Sequence, residues 1–232
     1  RFFHWPLEFA DLFYEPDGAP KDRAGFHAVI GNPPWEMIRG GDPARRNLVS
    51  FVRGSGLYPG CDRGHLNLYQ PFVDRSLSLL RRGGRLGLVL PWGAAADEGA
   101  ASLRRRLFHD ERVDTIVGLD NSAGLFPIHR GLRFMVMVVS RGLESRRTAV
   151  RLGVRTATEF DDLPGSDSPG QPGSFPIRLD TDTLRLGGGV ALGVPDARTP
   201  EDLAWLADIC RRFPALGDRA GWNLRFGREL NA

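Results

Sequence analysis

Apolar positions along this chain follow two different periods. Four short, nearly unbroken apolar runs, at 26–31 (FHAVIG), 85–91 (RLGLVLP), 113–119 (VDTIVGL) and 133–140 (RFMVMVVS), are bounded by glycine, proline or charged residues. Runs of this length predict strands buried within a sheet. Elsewhere the spacing becomes that of a helix. Leu66, Tyr69, Phe72, Val73, Leu77 and Leu80 recur on one face, and Arg81-Arg82-Gly83-Gly84 supplies a basic last turn and a glycine stop. Residues 97–110 place acids first and arginines late, the sense that the helix macrodipole favours. Residues 199–213 predict a further helix, with Thr199 as N-cap, Pro200 at the first position and an apolar face of Trp205, Leu206 and Ile209.

Strand, helix, strand, helix, strand is the alternation of an open α/β sheet with helices on its faces. Only a loop separates 113–119 from 133–140, so this pair is expected as an antiparallel hairpin at the edge of a mostly parallel sheet. After Gly142 the character changes. Residues 161–176 are rich in Gly, Pro, Ser and Asp and read as a linker or long surface loop. The glycine-rich stretch 184–193 (LRLGGGVALG) also reads as a loop. The expected organisation is a partial domain over 1–142, linker or long surface loops over 143–189, and the start of a further region over 190–232.

Composition adds modest bounds. With 41% hydrophobic and 25% charged residues, the chain can bury a core. No apolar run approaches the roughly 20 residues of a membrane span. The chain starts at Arg1 rather than Met and is expected to be a piece of a longer polypeptide, whose N-terminal part would be its partner. Cys61 and Cys210 lack any CxxC spacing, so free thiols in a reducing cytoplasm are expected. His65 and His129 have no spaced partners, and no metal site is expected. The net charge of +3 only mildly favours a polyanionic partner. Lys21 is the sole lysine; arginine suits bidentate phosphate and base contacts, although a GC-rich coding bias gives the same enrichment.

The sharpest chemistry sits where the first strand stops, in GFHAVIGNPPW (25–35). Ligands of open α/β sheets lie beyond the carboxyl ends of the strands. A residue before proline is pushed into an extended conformation, so Asn32 and Pro33 are both restricted. The Asn32 side-chain oxygen and the Pro33 carbonyl could then serve as two preset acceptors for the hydrogens of a primary amine. Trp35 offers a face on which a planar base can stack, worth roughly 1–3 kcal/mol. Two acceptors and an aromatic plate suit an exocyclic amino group on a heterocycle, held in line with an electrophile without a titrating base. The alternative is an ordinary Asn-Pro-Pro turn.

Asn32-Pro33-Pro34-Trp35 also resembles the hallmark of the amino-group (N6-adenine) DNA methyltransferases, Asn/Asp-Pro-Pro followed by Tyr, Phe or Trp, especially those of large restriction–modification enzymes. The likeness continues in register. Residues 67–91 resemble the family's Asn-Leu-Tyr segment, amphipathic helix, Gly-Gly stop and strand ending in proline; 124–139 resemble its Val-Phe-Pro loop and final hairpin strand. The resemblance covers about residues 5 to 142 and implies the C-terminal part of a Rossmann-like methyltransferase sheet using S-adenosylmethionine, with double-stranded DNA as partner and the target adenine flipped out of the duplex. It implies that Asn32, Pro33, Pro34 and Trp35 form the catalytic set, with Phe126 against the other side of the base and Tyr69 on the substrate side. Phe72 would lie against the cofactor adenine, and Asp11 would bind its amine. Phe72 and Phe126 could instead be core, and Asp11 a cap. The family's Phe-x-Gly-x-Gly cofactor loop has no counterpart in this chain, so the fragment alone is expected to be inactive.

Between Trp35 and Leu66, Arg39, Arg45, Arg46, Arg53 and Arg63 are interleaved with glycine. This segment could clamp DNA phosphates, with Arg39, Arg45 and Arg46 nearest the base site, or be a solvated loop. Two rival functions stay open: methylation of a protein glutamine amide at the same acceptor pair, and a non-catalytic DNA-binding module. Residues 178 onward resemble, faintly, the lead-in to a target-recognition region, and 190–232 are expected to start a target-recognition or accessory region.

Overall fold

The computed structural model describes residues 3–38, 42–143, 147–163 and 175–224. Six strands form one sheet: β1 (Phe26–Gly31), β2 (Leu80–Pro91), β3 (Arg112–Asp120), β4 (Arg133–Ser140), β5 (Thr148–Val154) and β6 (Ile177–Leu179). Their spatial order is β1-β2-β4-β3-β5-β6. β1 pairs parallel with β2 and β3 parallel with β5, whereas β4 runs antiparallel to both β2 and β3, and β6 antiparallel to β5. Four strands therefore share one direction, and their carboxyl ends reach the same rim.

All four strands expected from the apolar runs are present, and the hairpin of β3 and β4 forms. It is not at the sheet edge. β4 inserts between β2 and β3, and β5 and β6 extend the sheet beyond β3. The physical reason lies in TAVRLGV (148–154), which alternates inward and outward positions along β5 and buries Val150, Leu152 and Val154. The boundary expected at Gly142 is thus corrected: the sheet continues into the stretch read as linker, of which residues 164–174 lie outside the described residues. The glycine-rich stretch is also corrected, because a helix runs through Thr181–Gly188, capped by the Asp180 side chain and anchored by buried Leu184.

Among the described residues, five helices of eight or more residues accompany the sheet: α1 (Pro43–Gly54), α2 (Tyr69–Leu79), α3 (Ala101–His109), α4 (Thr181–Gly188) and α5 (Pro200–Arg212). α2 buries Tyr69, Val73 and Leu77 against the core formed with Leu86, Leu88, Ile116 and Met137 of the sheet. The helix ends at once into β2, so Arg81–Gly84 lie in the opening of that strand rather than in a last helical turn. α2 and α3 are also joined by a buried polar knot. Asp74 of α2 is an ion-pair partner of Arg106 and accepts the Gly60 N–H at 2.8 Å. Burial pushes the Asp74 carboxyl up, and Arg106 opposes that shift. Cys61 is buried and Cys210 half-buried, both as free thiols.

α5 starts on the expected Thr199 cap, which forms a capping box with Asp202. Its packed stripe differs from the expected face: Ala207 and Leu203 turn inward, while Trp205 is 73% exposed and Ile209 is exposed as well. β1 is the other exposed boundary, with Ile30 85% accessible on an edge strand. No described helix is long and apolar enough to cross a membrane.

Entry into β1 depends on Gly25, which has φ +115° and whose missing Cβ would lie 2.6 Å from the Leu79 carbonyl oxygen. A Gly25→Ala substitution adds both strain and a backbone clash. It is expected to lower stability by about 2 kcal/mol or more, read as a shifted urea midpoint in circular dichroism.

Candidate active site

At the common rim the strand ends enclose an open cavity of about 900 Å³. β1 delivers Asn32, Pro33, Pro34 and Trp35; β2 contributes Val89; β3 contributes Leu119 and the loop after it Leu125, Phe126, Pro127 and Ile128. Phe134 and Val136 come from β4, and Ala157, Phe160 and Asp161 from the helical turn after β5. Asn32 and Asp161 bring the only amide and carboxylate to an otherwise apolar lining among the described residues.

The Asn-Pro-Pro-Trp segment leaves β1 at the surface. Asn32 and Pro34 are exposed, Pro33 is buried, and Trp35 is half-buried. The indole N–H of Trp35 donates to the Val89 carbonyl at 3.3 Å, which pins the ring to β2 while it lines the cavity. Its ring centroid lies 5.9 Å from that of Phe134, and Phe126 meets Phe134 edge-on at 5.1 Å. Phe126 remains 46% exposed. The structure thus brings Asn32, Pro33, Pro34, Trp35 and Phe126 together around one cavity with a half-open aromatic wall.

Other expected residues lie elsewhere. Tyr69 is 3% exposed within the core and does not line the cavity, because helical spacing turns it toward the sheet. Phe72, on the outer side of α2, borders two smaller clefts, one with Trp5, Val29 and Ile30, the other with Phe51, Tyr58 and Leu68. Asp11 is exposed in a helical turn, lines neither cleft, and its backbone carbonyl accepts from Lys21 Nζ at 2.8 Å. Arg45 pairs with Glu36 at 3.0 Å, adjacent in sequence to Trp35. Arg46 lies in the first turn of α1, and Arg39 lies outside the described residues.

Sequence reasoning missed the far wall, Ala157, Phe160 and Asp161, and the buried Asn121 at the end of β3. The capping box of Thr156 and Glu159 was a local signal for the first. Asn121 carried none, since an Asn in a loop usually faces water.

The model of the Eco57I restriction-modification methylases matches residues 1–126, more than half of the chain. The chain belongs to this family. It is 32% identical over 83 residues to the Type II methyltransferase M.TthHB8I of Thermus thermophilus, a match covering 34% of this chain and 18% of that protein. The fold resembles the M protein of the type I restriction enzyme EcoKI, with TM-score 0.54 and 16% identity over 83% of this chain and 51% of that one. It also resembles the type IIG restriction endonuclease BpuSI, with TM-score 0.53 and 16% identity over 74% of this chain and 21% of that one. The chain therefore spans under a fifth of the curated relative. The family match ends at Phe126, so Phe134 and the wall from 157–161 lie outside the segment by which the family is recognised.

The two walls meet at the end of β3. The Asp120 carboxylate accepts the Ser122 N–H at 3.0 Å and the Arg155 Nε–H at 3.1 Å, tying β3 to the turn that carries Phe160. Bonds from Ser122, then the Arg155 guanidinium, hold the Asp120 carboxyl below the usual carboxylate range. Its folded pKa lies below the unfolded value of about 3.9, so its contribution is present above that pH and is lost as pH falls through the folded value. Asp120→Asn is expected to remove this part of the acid dependence, seen as a shallower fall of melting temperature below about pH 4.

Proposed function

We propose that this chain is part of an S-adenosylmethionine-dependent DNA methyltransferase that acts on the N6 amino group of adenine in a restriction–modification setting in the cytoplasm. One observation carries the reading. Asn32-Pro33-Pro34-Trp35 leaves the carboxyl end of a sheet strand and lines an open, aromatic-walled cavity. A base within a duplex cannot reach such a cavity, so the target nucleotide is flipped out. Trp35 and Phe126 supply the stacking surfaces, and Asn32 and Pro33 accept the two amine hydrogens. Those bonds orient the nitrogen lone pair and require no residue to titrate.

S-adenosylmethionine, when bound, supplies an electrophilic methyl group. The residues present fit one end of it: Phe72 offers a half-exposed aromatic face beside the outer edge of β1, where an adenine ring can lie. Asp11 serves this reading less well, because it lines neither cleft at Phe72. Arg39, Arg45 and Arg46 would contact DNA phosphates. The exposed edge of β1 and the greater length of the curated relative support a longer polypeptide that completes the sheet and the cofactor site, with residues 190–232 leading into target recognition. The fragment alone would then be inactive.

The test is tritiated methyl transfer onto duplex DNA by the full polypeptide, followed by nucleoside chromatography of the product. The expected product is N6-methyladenine, and Asn32→Ala is expected to lower the rate by about 100-fold or more. An unchanged rate rejects the site, and N4-methylcytosine rejects the assignment to adenine. Phe126→Ala is expected to weaken capture of the flipped base about tenfold, in line with one lost stacking contact, read with 2-aminopurine at the target position.

A further inference from the structure

We infer that Asn121 is a positioning residue that fixes the Phe126 wall of the cavity; the inference rests on the reading of the site just given. Asn121 is completely buried at the end of β3, next to cavity-lining Leu119. Every hydrogen bond of its side chain goes to a single loop. Its Oδ1 accepts the Phe126 N–H at 2.8 Å. Its Nδ2 faces the carbonyl oxygens of Phe126, Ile128 and His129 at 3.2, 3.1 and 3.3 Å. The N–H and the C=O of Phe126 are thus both held by one amide.

Only Asn suits this place. The loop presents one donor and three acceptors, and the amide is the side chain of this size that carries an acceptor and two donors together. An apolar residue would strand the buried loop groups, and a carboxylate would set oxygen against three carbonyls. The clamp matters because the Phe126 ring, half-exposed and touching Phe134 by its edge, is not fixed by packing alone. A turn at Gly124, with φ +77°, and the Ile128 N–H bond to the Phe126 carbonyl at 2.8 Å shape the loop but do not tie it to the sheet. Asn121 does so from a strand end. Asp120 beside it holds the opposite wall through Arg155, so two consecutive residues set the width of the cleft.

The test uses Asn121→Ala and the isosteric Asn121→Asp in the full polypeptide. Asn121→Asp keeps the acceptor for the Phe126 N–H and loses the donors; it decides the matter if Asn121→Ala fails to fold. Hydrogen exchange of amides 124–130 is expected to accelerate about tenfold or more, while amides of β3 keep their rates. Single-turnover methyl transfer to duplex DNA is expected to fall about 100-fold, the cost of a misplaced wall, with the Kd for S-adenosylmethionine unchanged. Unaltered exchange overturns the inference, as does faster exchange with full transfer. An equal loss in cofactor affinity overturns it too, since that marks a general folding role. An active parent beside equally active variants overturns this inference alone. A parent that methylates no DNA overturns the reading of the site and this role with it.

Discussion

One antiparallel strand organises everything at the rim. β4 lies between β2 and β3 and opposes both, so these two must point the same way. Parallel pairing then extends that direction to β1 on one side and β5 on the other. Four chain segments therefore leave the sheet at one edge, where the next residues of each are free to form a cavity rather than a ladder. The insertion is backed by a core of Leu86, Leu88, Met135, Met137, Val139 and Ile116, all buried on strands that touch β4 or belong to it.

The cavity's physical character follows from where its polar groups sit. Most of its lining is aliphatic or aromatic, and the indole N–H of Trp35 is already satisfied by Val89. Such a wall suits a flat, apolar-faced group, and the amide and carboxylate of the lining come from Asn32 and Asp161. The stiff part of the site is backbone: two successive prolines on one side and a loop bonded through a buried amide on the other. Such pre-ordering reduces the entropy lost when a ligand is oriented.

Much of this was legible from residues alone, and the failures have physical causes. Continuous apolar runs announced β1 to β4, and the Asn-Pro-Pro-Trp segment announced the rim that now lines the cavity, because both signals are local. β5 was hidden because its alternation is only seven residues long and lies next to a Gly- and Pro-rich stretch that dominates the composition. Order in the sheet was hidden because strand neighbours are chosen by long-range pairing, which leaves no mark on either strand. Tyr69 illustrates a subtler limit. Motif spacing placed it beside substrate, while the helix turned it into the core. Asn121 is the converse, a polar residue whose value lies wholly in partners five to eight residues away.

The segment between α4 and α5 is fastened at three points, to α3, to the turn after β2 and to the start of β4. Arg104, buried in α3, donates to the Ala191 carbonyl at 2.8 Å, and the Val194 N–H donates to the Ala95 carbonyl at 2.9 Å. Arg133, at the start of β4, grips both oxygens of Asp196 at 3.0 Å while its guanidinium sits 4.8 Å above the Trp92 ring. Such a mounting turns α5 into a rigid bracket. Arg133 also opens the strand that supplies Phe134 and Val136 to the cavity, so the bearing of that bracket is set from the cavity's own wall.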